Sequence, residues 1–182
     1  MPPDTAPPHC LIRPSTAADL PAIAAIYTEA VTTGTGSFET DAPAETELAR
    51  RRAEVLAKGL PWLVVETADG VMGYAYATPF RPRHAYRYSL EDSVYLHRDA
   101  RGRGLGRLLL AELIARCTAL GARQMLAVIG DSANKGSVAL HRCLGFRSAG
   151  QFDHVGRKFD CWLDIVLMQR ALGPGATVPP DA

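Results

Sequence analysis

The residues with the clearest chemical purpose form a glycine-rich segment, Arg101-Gly-Arg-Gly-Leu-Gly106. It follows an apolar run that ends at Leu96 and leads directly into a leucine-rich run. Glycines without side chains let successive backbone N–H groups converge on an anion, and the start of a helix adds partial positive charge. The segment is therefore predicted to bind a diphosphate.

Two common nucleotide-binding signatures do not fit this spacing. G-x-G-x-x-G requires a glycine at position 107, which is Arg107, and the phosphate-binding P-loop requires a G-K-[ST] run that the chain lacks. Dinucleotide and nucleoside triphosphate binding are therefore not predicted. On spacing alone, one alternative stays open, namely that the segment is a tight strand-to-helix turn that uses glycine only for its geometry.

A second segment of the sequence gives the first one a context. It runs Asn134-Lys-Gly-Ser137-Val-Ala-Leu-His141-Arg-Cys-Leu-Gly145-Phe146. Arg-x-x-Gly-x-Gly after a strand, together with an Asn followed by a short helix ending in Leu-Gly-Phe, resembles the acetyl-CoA signature of the GCN5-related N-acetyltransferase (GNAT) superfamily. Residues 37–39, 91–96 and 155–162 resemble its phosphinothricin and methionine sulfoximine acetyltransferases. The resemblance extends over residues 11–172.

The resemblance implies that acetyl-CoA is the co-substrate. No metal is predicted, because the cysteines form no C-x-x-C pair and have no nearby His at metal-ligand spacing. Backbone groups of Val94, Tyr95 and Leu96 would contact the pantetheine arm and the thioester oxygen. Asn134 and Ser137 would bind the pantetheine side, and Lys135 and Arg142 are candidates for the 3'-phosphate, although exposed basic residues are commonly just solvated. The diphosphate would be held by the glycine-rich segment, namely Arg101, Gly102, Arg103, Gly104, Leu105, Gly106 and Arg107.

The resemblance also indicates two catalytic residues. An amine must be uncharged to attack, and Glu91 is the candidate general base, acting directly or through a water. Alternation along the strand places Glu91 on the same face as Tyr95 and on the face opposite Val94. His141 stands where many superfamily members carry a tyrosine that protonates the departing thiolate, and an imidazole can do the same. A solvent-facing Glu91 and a purely packing His141 are the alternatives.

The acceptor is expected to be a small amino-acid-like amine with one anionic end. Arg81 and Arg83 supply guanidinium groups able to bind a carboxylate or phosphinate, and Tyr86 supplies an aromatic wall. By family analogy Phe38, Glu39 and Lys158 complete the pocket. A loop that arginines merely keep solvated is the alternative.

The apolar spacing predicts an α/β (α+β) chain with a mixed, mostly antiparallel sheet, flanking helices and a βαβ-like middle. The resemblance adds strands that splay at the acetyl-CoA site. One domain is predicted over residues 9–172, between Pro-rich disordered tails at 1–8 and 173–182. Predicted helices begin after Thr16 and cover 45–58, 104–120 and 134–143, and predicted strands cover 11–12, 62–66, 71–78, 90–96, 125–129, 146–152 and 162–168.

Composition narrows the class of protein. Twenty Lys and Arg against 19 Asp and Glu argue against a nucleic-acid or membrane-surface protein that relies on bulk charge. The four cysteines are dispersed without metal-ligand spacing, which favours a reducing cytoplasm. No signal peptide and no membrane-length apolar run are recognised. Family members usually dimerise, so residues 162–168 are expected to contribute to a homodimer contact.

Three other functions stay open at this level. The acceptor amine could belong to a protein or peptide N-terminus or to a polyamine, although a polyamine would favour acidic residues where this loop carries Arg81, Arg83 and Arg87. The chain could also sense acetyl-CoA without turnover. A purely structural domain would leave the glycine-rich and Asn134 segments without a reason to occur together.

Overall fold

The computed structural model describes residues 9–180, which form one seven-stranded sheet with helices on both faces. The strands are β1 (Leu11–Pro14), β2 (Trp62–Thr67), β3 (Gly70–Pro79), β4 (Ser89–Leu96), β5 (Gln124–Gly130), β6 (Arg147–Lys158) and β7 (Cys161–Ala171). The helices are α1 (Leu20–Thr33), α2 (Glu45–Ala57), α3 (Leu105–Ala119) and α4 (Lys135–Cys143). The predicted mixed architecture is confirmed.

The sheet order is β1-β2-β3-β4-β5-β7-β6, and within residues 9–180 only the β4–β5 pair is parallel. That pair is joined through α3, as the βαβ-like pattern predicted. It is hydrogen-bonded only from Ser89 to Glu91 against Gln124 to Leu126. Beyond these residues β4 and β5 separate, which gives the splayed strands that the resemblance implied.

Two apolar clusters hold the helices to the sheet. On one face α3 packs its buried leucines, including Leu109 and Leu113, against Leu63 and Ala75 of the sheet. On the other face α1 and α2 pack against Trp62 and neighbouring aromatic residues. Successive strand residues point to opposite faces, so β2 and β3 contribute alternately to both clusters.

The start of α1 follows the predicted capping pattern. Thr16 N–H donates to Asp19 Oδ2 at 2.7 Å, and a short 3-10 turn, Ala17–Asp19, precedes the helix. Arg13 donates to both carboxylate oxygens of Asp19 at 2.8 Å. These bonds lower the pKa of Asp19 to about 2. The carboxylate thereby ties β1 to the helix.

The predicted bounds of the last two strands were wrong. β6 extends to Lys158 instead of 152, and β7 begins at Cys161 and continues to Ala171. Gly150, Asp153 and Gly156 suggest a loop, but two irregularities in pairing, after Ser148 and after Phe152, absorb the extra residues. The strands therefore form one long hairpin at the edge of the sheet.

The ends of the predicted domain stay a prediction. The tail proposed for 1–8 lies outside the described residues, as do the last two residues of the chain. Residues 173–180 form turns, and Arg123 donates to the carbonyls of Gly175 and Pro179 at 3.5 and 3.4 Å. Between residues 9 and 180, no helix combines the length and apolar character needed to cross a bilayer.

Candidate active site

An open groove of about 590 Å³ lies where β4 and β5 separate. Its walls come from β4 and β5, from the glycine-rich segment, from α4 and from the loop after α1. The predicted residues that line it are Val94, Tyr95, Leu96, Arg101, Gly102, Gly104, Gly106, Arg107, Asn134, Ser137 and His141. Two segments that are far apart in sequence therefore meet across one cleft.

The glycine-rich segment has the backbone that an anion cradle requires. Gly102 and Gly104 have φ angles of 74° and 80°, in the left-handed region that favours glycine, and α3 begins directly after them. Leu105 is fully buried and anchors the segment in the core. The arrangement presents backbone N–H groups and a helix N-terminus beside Arg101 and Arg107.

Two predicted members of this segment do not line the groove. The Arg103 side chain is exposed and approaches Asp69 at 3.9 Å, and the Leu105 side chain points into the core. Only their backbone groups remain available for the predicted diphosphate contact. Lys135 and Arg142 are exposed on α4 and are likewise outside the lining residues.

The opposite wall depends on Asn134 and on the loop after α1. The Asn134 side chain accepts from Ser137 N–H at 3.2 Å and caps α4. Thr35 Oγ1 donates to Asp131 Oδ2 at 2.7 Å, which attaches the loop to the end of β5. Gly34, Thr35 and Gly36 line the groove. Sequence reasoning missed these loop residues because no motif marks them.

His141 lies in the wall of the groove beside Asp92, a residue that sequence reasoning did not select. His141 Nε2 is 2.9 Å from Asp92 Oδ2, and both side chains are almost fully buried. His141 Nδ1 donates to the Ser137 carbonyl at 2.8 Å. Burial alone would lower the pKa of His141, but the hydrogen bond and charge of Asp92 and the Ser137 carbonyl raise it overall.

Glu91 lies on the other face of β4. Its register partner is Thr78, and it shares a face with Ser93 and Tyr95, whereas Asp92 faces α3 and α4. It is half-buried and does not line the groove. Burial raises the pKa of Glu91, and the charge of Asp92 adds to that effect while Arg81 opposes it.

The loop between β3 and β4 carries the predicted acceptor residues on the surface. Arg81 stacks over the Phe80 ring at 4.6 Å, and Phe80 contacts Tyr86 edge-on at 5.7 Å. Arg81, Arg83 and Tyr86 are all exposed. Since Arg81 acts on the titration of Glu91, one guanidinium lies within electrostatic reach of the candidate base.

Phe38, Glu39 and Lys158 meet where the long hairpin contacts the loop after α1. The buried Lys158 ammonium donates to the carbonyls of Gly34 and Ser37, both at 2.8 Å. Glu39 accepts from Tyr27 at 2.9 Å and from Arg51 at 2.6 Å. Glu39 and Lys158, two of the six predicted acceptor residues, are thus engaged within the protein.

Phe38, the third residue of this group, has a partly exposed ring. Phe38 packs against Gly156 of β6, where an added Cβ would lie 2.2 Å from the Phe38 ring. The ring is 37% exposed, so part of it remains available to a bound molecule. Glu39 and Lys158 hold the loop in place beside it.

Known proteins give the groove a family context. A model described as the acetyltransferase (GNAT) family matches residues 23–146. The chain is 52% identical to a phosphinothricin N-acetyltransferase of Alcaligenes faecalis, across 94% of this chain and 87% of that protein. It is 44% identical to an L-methionine sulfoximine/L-methionine sulfone acetyltransferase of Pseudomonas paraeruginosa, across 92% and 98%.

A solved structure supports the same relationship. It is a GNAT superfamily phosphinothricin acetyltransferase from Sinorhizobium meliloti in complex with AcCoA. The two structures superpose with a TM-score of 0.91 at 47% identity, and the match covers 94% of this chain and 93% of that one.

Proposed function

Because this chain belongs to the acetyltransferase (GNAT) family, we propose that it transfers the acetyl group of acetyl-CoA to the amine of an amino acid of the phosphinothricin or methionine sulfoximine type. The observation that carries the proposal is the groove between β4 and β5, in which left-handed glycines, a helix N-terminus and two arginines converge. Acetyl-CoA, when bound, supplies the acetyl group as a reactive thioester.

The lining residues suit the parts of this co-substrate. Arg101, Arg107 and the amides between them suit a diphosphate. The β4 backbone after Glu91 is unpaired toward β5, which leaves Val94, Tyr95 and Leu96 free to hydrogen-bond the pantetheine arm and the thioester oxygen. Asn134 and Ser137 provide polar groups on the opposite wall. Lys135 and Arg142, which lie outside the groove, are proposed to contact the 3'-phosphate of acetyl-CoA.

Glu91 is proposed as the general base. Its raised pKa brings a carboxylate closer to the pH at which proton transfer is efficient. Because Glu91 itself does not line the groove and lies on the α1 side of β4, we assign its contact with the amine to a water-mediated path. His141 is proposed to protonate the departing sulfur.

The acceptor is proposed to lie between the β3–β4 loop and the loop after α1. Arg81 and Arg83 would bind its carboxylate or phosphinate, because guanidinium groups pair with such anions through two hydrogen bonds. Tyr86 and Phe38 would flank its carbon chain. Glu39 and Lys158 support this site by fixing the loop that carries Phe38.

A homodimer is part of the proposal. The β6–β7 hairpin forms the edge of the sheet, and four large apolar side chains on it are more than half exposed: Phe152, Val155, Phe159 and Trp162. Such a concentration of apolar surface is typical of an interaction site. A second copy of the chain would cover it.

We also propose a cytoplasmic location. All four cysteines, Cys10, Cys117, Cys143 and Cys161, are free thiols in the structure, and two of them are exposed. Exposed thiols persist in a reducing compartment.

The proposal is tested by the release of free CoA thiol from acetyl-CoA. The purified protein is assayed with phosphinothricin, methionine sulfoximine, ordinary amino acids, a polyamine and a peptide. Release with the two amino-acid analogues at kcat/KM values well above the others is expected. Preference for the peptide would redirect the proposal to protein N-termini, and tight acetyl-CoA binding without release would favour a sensor.

A further inference from the structure

Asp92 occupies a special position in the sheet. It is the first residue of β4 after the last parallel pair with β5, Glu91 against Leu126. It lines the groove, yet its side chain is only 1% exposed. Its Oδ2 is 2.9 Å from His141 Nε2, and its Oδ1 is buried without a hydrogen-bond partner among residues 9–180. A carboxylate thus lies where the two strands part.

The contacts of His141 fix how many protons this pair carries. The Ser137 carbonyl can only accept, so Nδ1 at 2.8 Å must carry a proton, and the Ser137 hydroxyl at 3.4 Å is a weaker contact. The 2.9 Å contact between Nε2 and Asp92 Oδ2 then requires a second proton between those atoms. The pair holds one proton more than a neutral imidazole beside a carboxylate.

The surroundings of the pair support this assignment. From α3, the Cys117 thiol faces Asp92, and burial together with the charge of Asp92 raises its pKa to about 12, so it stays protonated. The Phe146 ring packs edge-on against His141 at 5.0 Å. Glu91 lies on the opposite face of β4, and the lining residues of β5 nearby, Ala127 to Ile129, are apolar. Asp131, the other carboxylate that lines the groove, accepts instead from Thr35 Oγ1 and from Ala133 N–H.

We propose that Asp92 is a positioning residue that holds His141 with a proton on both ring nitrogens at the point where β4 and β5 separate. The inference rests on the proposed acetyl transfer. As the amine gives up its proton to Glu91 and the C–N bond forms, the C–S bond breaks and the pair gives its shared proton to the sulfur. The pair then recovers a proton from solvent.

The sign of the pH dependence follows from the contacts. Asp92 raises the pKa of His141, so the protonated ring persists to higher pH than in a free imidazole and is lost as the pH rises through that pKa. In Asp92→Asn the carboxylate charge is gone and burial, which lowers the pKa, dominates. His141 of that variant is then neutral at pH 7.

The first test does not depend on turnover. The ring of His141 is titrated by NMR in isotope-labelled protein and assigned by the signal missing in His141→Gln. It is expected to titrate above pH 6.5 in the unsubstituted protein and below pH 6.5 in Asp92→Asn, with no change in Asp69→Asn, an exposed turn aspartate. Identical His141 titrations in the protein and in Asp92→Asn would overturn the proposal.

The second test connects the proton to the reaction. With a saturating acceptor, the alkaline limb of kcat is expected to move to lower pH in Asp92→Asn by the same interval as the His141 titration, and to be regained in part by Asp92→Glu. At pH 7 a loss of about 10²-fold in kcat is expected. If the alkaline limb of kcat stays in place while the His141 titration moves, the role of His141 as proton donor is overturned. Absence of transfer to any amine by the unsubstituted protein would instead overturn the proposed function and leave the NMR result standing.

Discussion

At the scale of single residues, the two predicted catalytic groups lie on opposite sides of β4, Glu91 on the strand itself and His141 on α4. Glu91 faces the α1 side of β4, whereas His141 reaches Asp92 on the α3 side. The pairing of β4 with β5 ends at Glu91, and Asp92 is the first residue beyond that point. The arrangement keeps the proposed proton acceptor, Glu91, apart from the proposed proton donor, His141.

Replacing Glu91 by Gln tests the acceptor side of this arrangement. General-base catalysis contributes about 10²-fold or more, so kcat at pH 7 is expected to fall by about 10²-fold while acetyl-CoA binds with unchanged affinity. Burial raises the pKa of Glu91, so base function is present above that pKa and is lost as the pH falls through it. The acid limb of kcat/KM that belongs to Glu91 should vanish in the variant.

A matched control separates this effect from a general loss of charge. Glu45→Gln removes an exposed carboxylate in the first turn of α2 and should leave kcat within twofold, because surface changes away from the site have small effects. Equal kcat values for the Glu91→Gln variant and the unsubstituted protein would remove Glu91 from the mechanism.

How far single residues could be predicted depended on whether a motif marked them. Gly102, Gly104 and Asn134 stand in recognisable patterns, and all three line the groove. Asp92 follows Glu91 on a strand and has no motif of its own, since its partner His141 is 49 residues away. Lys158 was assigned to the acceptor, but its two carbonyl contacts are set by the hairpin fold, which the sequence pattern does not encode locally.

At the scale of elements, the groove depends on close contact between β5 and the loop after α1. A Cβ on Gly130 would lie 2.7 Å from the Thr35 carbonyl oxygen and 2.8 Å from that of Gly36. These are backbone atoms that cannot rotate away. Only glycine allows the loop to approach β5 this closely.

Gly130→Ala is therefore expected to push residues 34–36 away from β5 and to weaken acetyl-CoA binding by about 10-fold or more. Overpacking of this kind costs about 1–3 kcal/mol of stability. The stability is measured by urea unfolding, and the affinity for acetyl-CoA by calorimetric titration. Gly136→Ala is the comparison, because its Cβ would meet nothing within 4 Å and it lies in α4. That variant should gain up to about 1 kcal/mol. Equal stabilities for the two variants would contradict the packing account.

Elements were predictable where apolar spacing was regular. The β2–β3 hairpin and α3 were placed within a residue or two of their observed bounds. β6 was predicted too short because Gly150 and Gly156 are residues typical of loops. In the structure His154 has a left-handed backbone, with φ 55°, within the strand. Pairing with β7 overrides these local preferences.

At the scale of the whole molecule, one long hairpin connects the sheet edge to the site. Lys158, at the end of β6, holds the loop that lines the groove, while the rest of the hairpin exposes apolar side chains. A partner that covers the hairpin would therefore also steady the loop carrying Phe38. The order of the strands was predictable only in part, because β7 is placed between β5 and β6 by long-range pairing.

Trp162→Glu tests the proposed homodimer. Trp162 is 62% exposed on the hairpin, and a charge there should oppose burial in an interface, so the variant is expected to elute as a monomer in size-exclusion chromatography with light scattering. Leu120→Glu alters a side chain that is 57% exposed at the end of α3 and should leave the dimer intact. A dimer with Trp162→Glu, or a monomer before substitution, would refute this interface.

The destination of the acetyl group tests the central claim most directly. The protein is incubated with isotope-labelled acetyl-CoA and an equimolar mixture of phosphinothricin, methionine sulfoximine, an ordinary amino acid, a polyamine and a peptide, and the products are separated by mass spectrometry. The label is expected on the α-amine of phosphinothricin or methionine sulfoximine. Label found mainly on the peptide or the polyamine, or only in free acetate, would contradict an acetyltransferase of small amino-acid analogues.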